Sequence, residues 1–343
     1  MAANPDYLPT MMDMAKMSQS TGTAMAEIVP VMQQNCEVLP KIRWEKSNGP
    51  FSNTSTYQVR VPRPTWTDAN HAGIAPTVGT TMQAIDGLGE MQGYSMADPI
   101  VAEPYGVVAY RKRQDMMHLQ GAGEEWQETF FFGNSDVSGD FDGMAMRYAA
   151  GGTSPLATET VDHVIHGGGS GTDNQSMWLI SLGSESDMFP GVVGIYRPGT
   201  VAGFQITATP QPVTVNGSTA GTYVQRYVTH YRWSCGIAVI DWRKNVRICN
   251  IDKSALTSDA SSGAKLHELV AIAAERLPSG TQNTYLVLGR RAREYFRLQA
   301  INKLGNSTLD YDSLAGKRVL RVGEFEVLNC DALNADEALV PMS

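Results

Sequence analysis

The chain has 343 residues, of which 42% are hydrophobic, and a net charge of -8. This length can bury a large core, and no apolar run reaches the roughly 18 residues of a membrane helix, so we expect no membrane-spanning segment. The excess of 35 acidic over 27 basic residues disfavours nonspecific binding to nucleic acid, because the summed charge repels phosphate.

The proportion of charged residues is low. Asp, Glu, Lys and Arg make up 18% of the chain, against about 25% in an average soluble domain. The chain also contains 17 methionines, and buried interface cores are depleted of charge and enriched in methionine. This composition favours an obligate oligomer.

The cysteines and the first residues point to an intracellular protein. Cys36, Cys235, Cys249 and Cys330 have neither the density of a disulfide scaffold nor the C-x-x-C spacing of a zinc site. We predict buried free thiols. The first residues lack the basic start and apolar middle of a signal peptide, so we expect cytoplasmic synthesis.

Residues 1 to 40 have the pattern of an arm. Leu8, Met11, Met12 and Ala15 follow the spacing of one helix face, which predicts a short helix with an apolar stripe. A helix this short is not stable alone in water. We therefore expect it to dock, either on the body of its own chain or on another copy.

The segment from 47 to 98 is rich in Gly, Pro, Thr, Ser and Asn, which excludes long helices. Tyr57–Val61 alternates like a strand, and residues 77–82 could form the returning strand. A two-stranded excursion is not stable alone, so we expect it to lie on a neighbouring subunit.

The longest predicted helix extends from about Tyr105 to Phe132, and Gly133-Asn134 ends it. Its length would be roughly 40 Å, which makes it a spine of the fold. Gly121 and Gly123 each weaken a helix by about 1 kcal/mol, so we predict a bend or a close backbone contact there.

The remainder alternates irregularly between strands and helices, which predicts an α+β fold. One helix is predicted to be capped near Ser261-Ser262 and ended by Pro278, a second to follow Gly289, and a hairpin to turn at Gly323-Glu324. The strand-like runs are 177–182, 192–196, 223–229, 236–241, 246–251 and 285–288.

The Gly-rich loop 166–173 is the strongest candidate for a chemical site, since successive glycine amides can surround an anion. It lacks the Lys-Ser/Thr ending and the glycine spacing of known phosphate loops, so we interpret it as a plain flexible loop. Asp162, His163 and His166 lie beside it. A nucleotide- or metal-binding enzyme using residues 162–173 is therefore the alternative function.

No other pattern indicates catalysis. The chain has no G-x-S-x-G elbow, and His267-Glu268 is not followed by a second histidine one turn later. We therefore predict no catalytic residue, no cofactor and no metal ligand.

Two groups of basic residues remain, Arg111-Lys112-Arg113 on the long helix and Arg290, Arg291, Arg293 and Arg297 on the helix after Gly289. No stacking aromatics are interleaved with them. We interpret them as solvated faces or intersubunit ion pairs, with loose contact to DNA left open.

The order of these parts resembles the major capsid proteins of short-tailed (podovirus-type) double-stranded DNA bacteriophages. The resemblance covers nearly the whole chain in order. The segments that carry it are 128–134, 141–148, 171–179, 194–199, 229–233 and 241–251.

This resemblance implies an α+β fold of the Hong Kong 97 type. The implied divisions are an N-terminal arm (1–40), an extended β-hairpin loop (41–98), a peripheral domain with the spine helix (99–150), an axial domain with strands returning to the peripheral domain (151–316), and a C-terminal hairpin and tail (317–343).

The resemblance further implies a structural protein of the bacteriophage virion, made in the host bacterial cytoplasm, that self-assembles through hexamers and pentamers into an icosahedral capsid around double-stranded DNA. A separate scaffolding protein, a portal and a decoration or cement protein are the expected partners, with loose contact to the DNA and no membrane. The candidate intersubunit contact residues are Leu8, Met11, Met12, Tyr57, Val59, Trp66 and Met82.

Overall fold

The fold is described from a computed structural model of the chain. It describes residues 37–60, 62–66, 73, 78–149, 160–183, 190–200, 202–217, 222–258, 260, 263–279, 281, 283–302, 309–314 and 317–341. The predicted arm helix with Leu8, Met11 and Met12 lies outside the described residues. No helix in the described part is long and apolar enough to cross a lipid bilayer.

The described part contains strands and six α-helices. The strands are β1 (Trp44–Lys46), β2 (Ser52–Arg60), β3 (Thr80–Gly87), β4 (Gly89–Ala97), β5 (Val164–His166), β6 (Asn174–Ser181), β7 (Val192–Tyr196), β8 (Gln205–Ala208), β9 (Val213–Asn216), β10 (Tyr223–Val239), β11 (Asn245–Asp252), β12 (Thr284–Leu288), β13 (Leu309–Leu314), β14 (Lys317–Val322) and β15 (Phe325–Asn329). The helices are α1 (Pro99–Ala102), α2 (Val107–Phe132), α3 (Ser135–Ser138), α4 (Met144–Arg147), α5 (Leu266–Glu275) and α6 (Arg290–Asn302). Short 3-10 turns cover Val161–His163, Trp242–Lys244 and Asp331–Asn334.

The chain divides into two compact units. The described part of the smaller unit is Gly93–Gly121 and Ile206–Tyr231, and the larger unit consists of Gln34–Gln92, Ala122–Gln205 and Arg232–Ser343. Four elements, β4, α2, β8 and β10, have residues in both units.

The strands form three sheets. The largest has the order β13-β14-β15-β12-β6-β11-β5, and a second has the order β1-β7-β10-β4 with β8 and β9 also paired to β10. The third is the two-stranded hairpin β2-β3. The mixture of parallel pairs (β12 with β15, β11 with β5) and antiparallel pairs is that of an α+β fold.

The core of the larger unit lies on both faces of β6, whose eight residues are all buried. Because successive side chains of a strand point to opposite faces, Trp178 and Ile180 pack in one hydrophobic cluster and Met177 and Leu179 in another. The first cluster includes the carboxyl-terminal part of α2, and the second includes α5 and α6.

The predicted spine helix is confirmed as α2, which has 26 residues and ends directly before Gly133. Its carboxyl-terminal residues Trp126 and Phe130 are fully buried, whereas Val108 near its start is 81% exposed. The helix continues through Gly121 and Gly123. Apart from the backbone of its own helix, a Cβ at either glycine would meet no described atom within 4 Å, so the predicted close backbone contact there is wrong.

Two runs predicted as separate strands, 223–229 and 236–241, belong to the single strand β10 of 17 residues. The residues between them, 230–235, were predicted to belong to neither strand. Their burial nevertheless alternates as in a strand, because Tyr231 and Trp233 are buried while His230 and Arg232 are only half-buried.

The helix α5 begins later than predicted. It starts at Leu266, and the preceding Lys265 gives no side-chain cap, so the predicted cap near Ser261-Ser262 is wrong. The backbone N–H of Leu266 donates instead to Oε1 of Gln299 on α6, at 3.1 Å. A neighbouring helix therefore satisfies an amide that a local serine was expected to satisfy.

The other predicted elements of the carboxyl-terminal part are confirmed. The helix α6 follows Gly289, and β14 and β15 form the predicted hairpin. Its turn contains Gly323 at φ 58, a left-handed backbone conformation that favours glycine.

The smaller unit has a small core of its own, formed by Ala97, Ala102 and Tyr110. The guanidinium of Arg111 donates to the carbonyl oxygens of Thr209 at 2.6 Å and Val228 at 2.9 Å. The interpretation of Arg111 as a solvated or intersubunit charge is therefore wrong, because this arginine joins α2 to β10 and to Thr209, the residue after β8, within its own unit.

Three cysteines, Cys235, Cys249 and Cys330, are buried free thiols, as predicted. Burial raises the pKa of Cys235 to about 12, so its thiol is protonated at neutral pH and unreactive. Cys36 lies outside the described residues.

Candidate functional site

The hairpin β2-β3 is the most distinctive surface feature of the larger unit. Its register pairs Ser52 with Gly87 at one end and Tyr57 with Met82 further along, which confirms the predicted strand and its returning partner. Within the described residues no third strand pairs with it. A two-stranded sheet is at best marginally stable in water, so the hairpin depends on contacts made by its two faces.

The two faces of β3 differ in exposure. Ala84 is buried and packs with Met82 and Trp242, whereas Ile85, the next residue, is 71% exposed. Because neighbouring residues of a strand face opposite sides, one face of the hairpin rests on its own unit and the other presents a large apolar side chain to solvent.

A buried ion pair anchors the hairpin at its base. Asp86 of β3 is 2% exposed, and its Oδ1 accepts a short hydrogen bond from Nη1 of Arg147 on α4. The same guanidinium also donates to the carbonyl oxygens of Asp142 at 3.2 Å and Ile237 at 3.4 Å. Arg147 thus joins the hairpin to α4 and to β10.

The charge of Asp86 is held in an unfavourable environment. Burial raises the pKa of its carboxyl group above the ordinary value, while Arg147 acts in the opposite direction and nearby Asp142 adds to the rise. The second carboxylate oxygen, Oδ2, is buried without a hydrogen-bond partner. The guanidinium of Arg147 is therefore the group that favours the ionised form of this carboxyl group against the effect of burial.

The backbone at the hairpin base is also tightly packed. A Cβ at Gly236 of β10 would lie 2.7 Å from the carbonyl oxygen of Gly87. The N–H of Leu88 donates to the carbonyl oxygen of Phe51 at 3.0 Å and closes the open end of the hairpin. These contacts fix the direction in which the hairpin projects from the rest of the larger unit.

The structure brings only some of the predicted contact residues together. Tyr57 and Met82 are cross-strand partners, and Val59 lies in β2 beside them. Trp66 is 100% exposed and belongs to the segment between the two strands. Nothing is described of the side chains of Tyr57 and Val59.

Sequence reasoning missed the residues that anchor the hairpin. Arg147 belongs to a segment that carries the family resemblance, but nothing in its spacing indicates Asp86, which lies 61 positions earlier. Ile85 carried one usable signal, since it is a large apolar residue on the strand face that otherwise carries Thr81, Gln83 and Gly87.

The Gly-rich loop is not an anion cradle. The amides of Gly167 and Gly169 donate to the carbonyl oxygens of Cys249 at 2.7 Å and Asn250 at 2.8 Å. The amide of Gly168 donates to Nδ1 of His166. The donors that would surround a phosphate are thus already used, and the loop is held against β11 rather than free.

The histidines beside this loop have structural contacts. His163 is buried, its Nδ1 lies 3.1 Å from the carbonyl oxygen of Asn245, and its ring packs edge-on against Trp242. Burial lowers the pKa of His163. No group of three or more His, Cys, Asp or Glu that could hold a metal ion occurs within the described ranges.

Comparisons with known proteins agree with this architecture. Among solved structures, the capsid structure of bacteriophage Epsilon15 matches with 24% identity and a TM-score of 0.69, covering 99% of this chain and 100% of the other. The bacteriophage JBD30 capsid matches with 10% identity and a TM-score of 0.52, covering 92% and 97%. These matches confirm the α+β, Hong Kong 97-like fold.

The family comparison covers nearly the whole sequence. A family model described as "Major capsid protein GP7" matches residues 20–341. The search of curated proteins found no match. The chain therefore belongs to the family of the major capsid protein GP7, and it is a structural, shell-forming protein of the phage virion rather than an enzyme.

Proposed function

We propose that copies of this chain assemble as hexamers and pentamers of an icosahedral shell that encloses double-stranded DNA. The observation that carries this proposal is the hairpin β2-β3, a two-stranded sheet whose outer face presents the exposed apolar side chain of Ile85. Since such a sheet is marginal alone, a neighbouring copy that covers Ile85 would supply the missing burial.

The proposed division of the chain follows the resemblance. Residues 1–40 form the arm, 41–98 the extended loop, 99–150 the peripheral domain, 151–316 the axial domain with its returning strands, and 317–343 the C-terminal hairpin and tail. The positions of β2-β3 within the second segment and of the whole of α2 within the third support this division.

The proposed intersubunit contacts involve residues of the arm and the loop, namely Leu8, Met11, Met12, Tyr57, Val59, Trp66 and Met82. Trp66 supports the proposal most strongly, because a fully exposed tryptophan is rare in a lone subunit and tryptophans are enriched at the centres of interfaces.

The proposed partners are a separate scaffolding protein, a portal, and a decoration or cement protein, and synthesis takes place in the host bacterial cytoplasm. DNA contact is loose in this proposal. The net charge of -8 supports loose contact, since a shell filled by a packaging motor does not need affinity for phosphate.

Sizing of purified protein tests the proposal. Light scattering should detect particles in the megadalton range or an assembly-competent precursor, and negative-stain micrographs should show closed shells with five-fold vertices. A small oligomer that never forms particles, with or without scaffolding protein, would contradict it.

The exposed tryptophan gives a specific test. Trp66→Ala should leave the free energy of unfolding within about 0.5 kcal/mol of wild type, because the side chain makes no buried contact to lose. It should nevertheless weaken each intersubunit contact by about 2 kcal/mol and reduce shell yield in sedimentation. Val137→Ala, which also truncates an exposed side chain but lies outside the proposed contacts, is the control. Equal yields from both variants would contradict the role of Trp66.

Deletion of residues 1–20 tests the arm. We expect circular dichroism and thermal unfolding of the body to stay close to wild type, because in this proposal the arm contacts neighbouring copies rather than the core of its own chain. Shell assembly should be abolished, as judged by sedimentation and micrographs. Normal shells from the shortened chain would exclude an assembly role for the arm.

A further inference from the structure

One cavity of the larger unit is lined mainly by arginines. Its volume is about 500 Å³, and it lies between α6 and the end of β15. We call it the arginine pocket, and its lining residues are Arg290, Arg293, Glu294, Arg297, Leu298 and Asn329. The three arginines recur at helical spacing and therefore share one face of α6.

The charge of this pocket is not balanced within the described chain. Arg290 pairs with Asp331 at 2.5 Å, and Glu294 pairs with Arg291 at 3.4 Å. Arg297 is in no ion pair of the described residues, and its Nε is buried without a hydrogen-bond partner. A guanidinium without a counter-charge among the described residues therefore lines the cavity, where an anion would neutralise it.

The size of the pocket selects the kind of anion. A guanidinium presents its N–H groups in a planar fork that fits a carboxylate or a phosphate. A volume of 500 Å³ corresponds to a cube of about 8 Å edge, whereas the major groove of DNA alone is about 12 Å wide. A duplex could touch only the rim, while a single acidic side chain fits inside.

We infer that the arginine pocket of one copy binds an Asp or Glu side chain of a neighbouring copy in the assembled shell. Each copy carries a net charge of -8, so every neighbouring copy has more acidic than basic side chains available as partners for the arginine pocket. This inference rests on shell assembly from copies of the chain. It adds a polar contact to the apolar ones proposed for the arm and the loop.

Chemical labelling of the wild-type protein tests the inference without a substitution. Phenylglyoxal modifies accessible arginines, and peptide mass spectrometry reports the rate at each one. Arg297 should react about fivefold more slowly in DNA-free shells than in unassembled chain, because the carboxylate covers it only after assembly. An equal rate in both states would overturn the inference. Protection seen only in DNA-filled shells would assign the pocket to phosphate and overturn it too.

Cross-linking identifies the partner. In Arg297→Lys, the amine keeps the charge, and a carbodiimide joins an amine to a carboxylate only when the two are in direct contact. Shells assembled from equal amounts of ¹⁴N- and ¹⁵N-labelled chain should yield peptide pairs of mixed isotope that contain Lys at position 297 and an Asp or Glu. A contact between copies should give about half of these pairs in mixed form, whereas pairs that are all of a single isotope would show a contact within one copy and contradict the inference.

Reversing the charge of Arg297 measures how much the arginine pocket contributes to shell assembly. Arg297→Glu should reduce the yield of shells about tenfold, since two carboxylates would then face each other. Lys265→Glu makes the same change of charge at an exposed position and should retain wild-type yield. Wild-type yield from Arg297→Glu would overturn the inference alone, whereas failure of the wild-type chain to form shells would overturn the proposed function.

Discussion

Arg147→Met is expected to lower the free energy of unfolding of the unassembled chain by about 3–5 kcal/mol, because it leaves the Asp86 carboxylate buried without its counter-charge. The carbonyl oxygens of Asp142 and Ile237 lose a donor in the same step. Urea denaturation followed by circular dichroism measures the effect. Because Asp86 lies at the base of β3, the variant should also form fewer shells.

The loss should depend on pH. Burial raises the pKa of Asp86 in the folded chain above its unfolded value, and removal of Arg147 raises it further. When the pKa of a group is higher in the folded than in the unfolded chain, protonation of that group stabilises the folded state. This stabilisation is lost as the pH rises through the pKa of the folded chain. The deficit of Arg147→Met relative to wild type should therefore be largest at neutral pH and shrink in mildly acidic buffer.

Two further variants separate the buried charge from other effects. Arg232→Met breaks the exposed pair with Glu90 and should leave the denaturation midpoint close to wild type. The double variant Asp86→Leu/Arg147→Met removes both charges and should recover at least half of the loss, because an apolar pair needs no counter-ion. A double variant as unstable as Arg147→Met alone would show that the lost carbonyl contacts, and not the charge, dominate.

Local patterns in the sequence were sufficient to predict the hairpin β2-β3 and the spine helix α2. The alternation around Tyr57 and the polar composition between the strands predicted β2 and its partner, because strand periodicity and turn chemistry are properties of neighbouring residues. The end of α2 at Gly133 was predictable for the same reason.

Contacts between distant residues were not predictable. Asp86 and Arg147 form a pair only because folding brings β3 and α4 together, and no spacing rule connects them. The start of α5 was misjudged because Gln299 of another helix accepts its first amide hydrogen bond. The proposed assembly site combines both kinds of feature, since a locally encoded hairpin is fixed by an anchor that only the tertiary structure defines.

A second anchor holds the C-terminal strap, residues 335–341, to the core of the larger unit. Glu337 is buried, and its carboxylate accepts from Arg247 at 2.9 Å and from the N–H of Ser176 at 2.9 Å. The backbone N–H of Glu337 donates to the carbonyl oxygen of Asn174 at 2.9 Å. Further along, Asn250 exchanges two hydrogen bonds with the backbone of Val340. The strap therefore closes over β6 and β11 through polar contacts within a largely apolar core.

Glu337→Ala is expected to destabilise the chain by about 3–5 kcal/mol, because it leaves the guanidinium of Arg247 buried and unpaired against Trp178. The neighbouring variant Asp336→Ala removes an exposed carboxylate that pairs with Lys253 and should cost less than about 1 kcal/mol. Limited proteolysis of Glu337→Ala distinguishes local release of the strap from unfolding of the whole unit. If the anchor holds only the strap, a protease should cleave near residue 335 under conditions in which the circular dichroism spectrum is still that of the folded chain. Equal denaturation midpoints for the two variants would show that Arg247 finds other partners, and that the buried pair does not hold the strap.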